Sequence, residues 1–113
     1  MSAPDEKDVD EAKAKAKGRD VSQIEVTSNE ETFYMLCTAP SKAEYIRFLG
    51  ELKTEDTGKL IRAQESFVKR CCLFPTLEEV DKLFDAKSVI AGKFAGELMK
   101  LAGSEATAVT KKL

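Results

Sequence analysis

The stretch Lys69-Arg70-Cys71-Cys72-Leu73-Phe74-Pro75-Thr76-Leu77-Glu78-Glu79-Val80 decides how the fold is read. Upstream of it, Leu60, Ile61, Gln64, Phe67, Val68 and Cys71 recur on one helical face, which predicts a helix from about Asp56 to Leu73. Pro75 has no amide hydrogen and restricts the residue before it, so the helix must stop there. Thr76 and Glu79 then stand at capping-box spacing and open a short amphipathic helix carrying Leu77, Val80, Leu83 and Phe84. Beyond Asp85-Ala86-Lys87-Ser88, a last helix carries Val89, Ile90, Phe94, Leu98, Leu101 and Ala102, with Gly103 as its stop. Two apolar-faced segments are thus joined through a proline and a cap, with no catalytic group between them.

Working backwards from this stretch, Ala39-Pro40-Ser41-Lys42-Ala43-Glu44 marks another helix start, again with capping-box spacing between Ser41 and Glu44. That helix runs to about Lys53 on a broad stripe of Tyr45, Ile46, Phe48, Leu49 and Leu52. Before it, Val21, Ile24 and Val26, then Thr32 to Thr38, are strand formers on either side of Ser28-Asn29-Glu30, and they predict a β-hairpin. Phe33, Met35 and Cys37 share one face of the second strand, and Tyr34, Leu36 and Thr38 share the other. A lone hairpin is barely stable, so one face must rest on the helices or pair with another strand. The remaining edge is a candidate partner surface.

The expected fold class is α+β: an N-terminal β-hairpin followed by a four-helix, mainly α domain, with flexible termini. In a chain of 113 residues, 21–103 form a single domain. Residues 1–20 hold Val9 as their only large apolar side chain after Met1 and are expected to be a disordered or frayed leader. Residues 104–113 return to small and polar types and are expected to be a flexible tail.

Charged residues are 34% of the chain, and the formal net charge is −2. This balance supplies no field to attract nucleic acid, and the aromatics fit core faces better than base-stacking platforms. The N-terminus lacks the apolar stretch of a signal peptide, and no window is long and apolar enough to span a membrane. The reading is a soluble protein with no nucleic-acid or membrane partner.

Histidine is absent, which removes most acid–base relays and triads. Cys37, Cys71 and Cys72 offer neither a CxxC pair nor a base partner, so they read as reduced, small apolar residues. Glu78, Glu79 and Asp81 crowd a first helical turn, where acids meet the helix dipole favourably. No phosphate-binding glycine motif occurs. No catalytic residue, metal or cofactor is expected.

What can be nominated is surface. Tyr34, Leu36, Phe48 and Met99 are apolar side chains that a small core has trouble hiding, although single exposed apolar residues are ordinary. Gly92 and Gly96 lie at small-xxx-small spacing within the last helix, suited to close approach of another helix inside the bundle or across a subunit contact.

Taken together, residues 21–103 resemble the small tail assembly chaperones of long-tailed bacteriophages. The likeness lies in the hairpin Val21–Thr38, the Ala39-Pro40-Ser41-Lys42-Ala43-Glu44 entry to an aromatic-rich helix and the Cys71-Cys72-Leu73-Phe74-Pro75 stop. It continues through the acidic short helix Thr76–Phe84 to Leu98-Met99-Lys100-Leu101-Ala102-Gly103. The resemblance implies a non-enzymatic protein of the host cytoplasm. Such chaperones bind the long helical tape measure protein, hold its apolar stretches soluble, and hand it to tail-tube subunits. The rival expectations are a structural virion component, such as a tail-completion or connector subunit, and a generic protein-binding adaptor.

Overall fold

In a computed structural model that describes residues 2–103 and 106–113, the hairpin comprises β1 (Val21–Ser28) and β2 (Glu31–Thr38). Asn29 and Glu30 join them with φ of 50° and 66°. Two left-handed residues match the right-handed twist of the strands, and this fixes the register from Ser28↔Glu31 back to Val21↔Thr38. Asn29 adopts that conformation readily; Glu30 takes the seat that glycine usually fills.

Helix α2 (Lys42–Glu51) follows, with Ser41 Oγ accepting from the Glu44 amide at 3.2 Å. The Glu44 carboxylate accepts from the Ser41 hydroxyl in return. Helix α3 (Thr57–Cys71) is capped by Asp56 and ends one turn before Pro75. The expected continuation to Leu73 is corrected here. Cys72–Phe74 leave the helix and form a third strand, β3, antiparallel to β2 with Leu36↔Phe74 and Cys37↔Cys72 as partners. The Phe74–Pro75 peptide bond is cis. Helix α4 (Leu77–Ala86) starts at Thr76, whose Oγ1 accepts from the Glu79 amide at 3.3 Å. Helix α5 (Val89–Leu101) completes the domain, and Gly103 lies just beyond it at φ 101°.

The expected leader is also corrected. Residues Glu6–Ala16 form a fifth helix, α1, opened by a reciprocal capping box between Asp5 and Asp8. It turns back through Lys17 and Gly18, both at positive φ, and the Arg19 guanidinium donates to the Ala39 carbonyl at the far end of β2. Val9, Ala12 and Ala16 recur on its inner side, and the two alanines are buried. Small residues let the helix backbone approach the strands closely, so a helix with little apolar bulk can still pack.

The architecture is therefore α+β, with five helices and a three-stranded antiparallel sheet ordered β1-β2-β3 among the described residues. Ile24, Val26, Phe33, Met35 and Cys37 share one core with Phe48, Phe67, Val68, Val80, Phe84, Ile90, Phe94 and Leu98. Leu36 and Thr38, on the opposite face of β2, are buried beneath α1, which packs on all three strands. Of the expected tail, 106–113 carries no regular structure, while Ser104 and Glu105 lie outside the described residues. No helix among the described residues is long and apolar enough to cross a membrane.

Candidate protein-binding surface

The six nominated surface residues do not converge. Leu36 is 2% exposed and Phe48 4%, so both belong to the interior. The ring of Phe48 stacks on Phe67 of α3. Tyr34 and Met99 are half-buried, and Met99 packs against the edge of the core. The two glycines also part company. A Cβ on Gly92 would meet Oε1 of the Gln64 side chain on α3 at 3.3 Å. A Cβ on Gly96 would meet nothing within 4 Å among the described residues.

The exposed apolar side chains sit elsewhere. On α2, Ile46 is 56% exposed and Leu49 lies beside it on the same face, one turn on. On α5, Val89 is 72% exposed, and Ile61 of α3 and Leu77 of α4 are exposed too. Sequence pattern placed Ile46, Leu49, Ile61, Leu77 and Val89 within the apolar stripes of their helices. The signal that could have found Val89 is its place at the first helical position, directly after Lys87-Ser88, where a side chain lies beyond the reach of the next turn.

Val89 stands where two depressions adjoin. One, of about 360 Å³, is lined by the hairpin tip from Val26 to Asn29, the α4–α5 connection and the first turn of α5 with Lys93. The other, of about 390 Å³, is lined by Ile61 and Gln64 of α3 and by Ser88, Val89, Gly92 and Lys93. Lysines 87 and 93 line this groove, and no carboxylate does. The α5 N-cap, Ser88, makes no side-chain cap bond, the Ile90 amide donates to the Lys87 carbonyl, and the dipole of α5 puts its positive end here.

Ion pairs form elsewhere on the surface. Lys69 bridges to Asp81 at 2.8 Å and ties α3 to α4; Arg47 reaches Glu51 at 2.9 Å along α2. Glu78, in the acidic first turn of α4, lies 3.7 Å from Lys82. The sheet has two edge strands, β1 and the short β3, and β1 offers the longer unpaired outer side.

The thiols are set up for packing. Burial, with a smaller contribution from nearby Cys72, pushes Cys37 from 9.0 up to about 12. Burial also raises Cys72 to about 11, against the pull of the Phe74 backbone and Lys15. Cys71 is raised by burial and by donating to Glu44 Oε2 at 3.1 Å. All three are held as neutral thiols, the poor-nucleophile form. Among the described residues no group of three or more His, Cys, Asp or Glu side chains could hold a metal ion.

An uncharacterised protein from Bacillus stearothermophilus has the same fold. Its solved structure superposes with a TM-score of 0.72 over 91% of this chain and 99% of that one, at 24% identity. At that identity the likeness concerns the fold. No family model matches the chain, and no curated protein matches it.

Proposed function

We propose that this protein is a non-enzymatic tail assembly chaperone of a long-tailed phage. It acts in the host cytoplasm, holds apolar helical stretches of the tape measure protein in solution, and releases them to tail-tube subunits. The observation that carries this reading is exposed apolar surface: Ile46 and Leu49 on α2, and Ile61 and Val89 on α3 and α5. These side chains sit on helices, which suits transient cover of another protein's apolar helix. The sequence resemblance names the partner. Co-expression with the tape measure protein of the same phage should keep that protein soluble and yield a complex that survives gel filtration. If the tape measure protein precipitates regardless, this reading is wrong.

The second reading, a structural virion component, is favoured by one feature, the unpaired outer edge of β1. A neighbouring copy could extend the sheet there. Purified virions distinguish the two, because an assembly chaperone leaves the finished particle and a structural subunit stays in it.

A further inference from the structure

We infer that the groove between the hairpin tip, α3 and the start of α5 is the docking site for an acidic amphipathic helix of a partner protein. The inference rests on the chaperone reading and adds to it which face is used and what chemistry it selects. Three features define the occupant. The floor is apolar, formed by Val26, Ile90 and the exposed side chains of Ile61 and Val89. The charge is of one sign, because Lys87 and Lys93 line the groove and no carboxylate among the described residues does. Neither lysine has a carboxylate partner among the described residues, although acids outnumber bases in the chain, 20 to 18.

A segment that fits must place apolar side chains on Ile61 and Val89 and carboxylates near Lys87 and Lys93. A helix does both, since i, i+4 residues share a face and its backbone groups are already satisfied. The chain's own C-terminal segment, 106–113, does not fit: it carries Lys111 and Lys112 and no acid. A phosphate backbone would satisfy the lysines and leave the apolar floor unmatched. The acid-flanked Leu77-Glu78-Glu79 of a second copy has the right chemistry and is the competitor that the test must separate.

The test titrates two synthetic amphipathic peptides with the same leucine face into the isotopically labelled full chain. One is flanked by glutamates and the other by lysines. The acidic peptide should shift the backbone amides of Ile61, Gln64 and Ser88 to Lys93, and the basic peptide should not. Reversing both charges, Lys87→Glu with Lys93→Glu, should weaken the acidic peptide about tenfold and let the basic one bind. Equal binding of both peptides, or shifts confined to the Ile46–Leu49 face, overturns the inference. So do concentration-dependent shifts of the groove amides without peptide, which would seat a second copy there.

The doubly reversed variant is then co-expressed with the tape measure protein. If wild type and variant keep it soluble equally well, the groove inference fails and the chaperone reading stands. If neither does, while the acidic peptide still lands in the groove of the wild type, the chaperone reading fails and the groove remains.

Discussion

The rings of Phe48 and Phe67 lie parallel, with centroids 4.0 Å apart and an interplanar angle of 2°. This stack fastens α2 to α3, and with it turns Ile46 and Leu49 of α2 outward. Phe48→Ala should lower the unfolding free energy by about 3–5 kcal/mol through lost burial and a cavity. Ile46→Ala on the exposed side should stay within about 0.5 kcal/mol of wild type. Urea denaturation midpoints check both. Similar effects at the two positions would mean that the helix is rotated from the orientation described.

Helix α1 gives the second prediction. Ala12 is 1% exposed, so Ala12→Glu forces a carboxylate against the sheet and should cost about 2 kcal/mol or more. Ala14, one turn face away, is exposed, and Ala14→Glu should be neutral within about 0.5 kcal/mol. Thermal melts of the two variants decide whether α1 is part of the domain. Deletion of residues 2–20 should likewise lower the melting temperature, because it strips the cover from Leu36.

The thiols predict an alkaline loss of stability. In the unfolded chain they ionise near 9.0, whereas in the folded chain Cys37 holds its proton to about 12 and Cys72 to about 11. Above pH 9 the unfolded state therefore sheds protons that the folded state keeps, and rising pH favours unfolding. The contribution is intact below the unfolded value and disappears as pH climbs through the folded ones, at up to about 1.4 kcal/mol per unit per thiol. Denaturation under reducing conditions, neutral against strongly alkaline, should show a smaller fall for Cys37→Ala with Cys72→Ala than for wild type.

Gly96 supplies the fourth. A methyl group there meets nothing within 4 Å, so Gly96→Ala should stabilise α5 by about 0.5–1 kcal/mol. Gly92→Ala should gain less, since its methyl group presses on the Gln64 amide at 3.3 Å. Sedimentation of Gly96→Ala should match wild type; a shift to smaller species would place a subunit contact at that glycine.

The hairpin was legible because alternation in Phe33–Thr38 and a polar two-residue turn leave little freedom in register. The starts of α2 and α4 were legible because Ser41 and Thr76 cap locally, whatever the tertiary context. Strand β3 was hidden, since Cys72-Leu73-Phe74 extends the apolar stripe of α3, and three residues carry no period of their own. Helix α1 was hidden for the opposite reason: its contact with the sheet is made by two alanines, and composition scores them as featureless. The surface was the least legible. Tyr45, Ile46, Phe48, Leu49 and Leu52 span too wide an arc to say which side chains turn inward, and the stack of Phe48 on Phe67 settles it. Lys87 and Lys93 gain meaning only when the hairpin tip and α3 close around them.

The position of β2 sets how the molecule would take up deuterium. It is the middle strand, with neighbours on both sides, the helical core on one face and α1 on the other. Amides on the open side of β1 can trade protons with solvent through small local excursions. Those of Leu36 and Cys37, paired on both sides, should exchange only on loss of the whole domain. Their exchange rate is therefore a direct gauge of global unfolding, readable at neutral pH without denaturant.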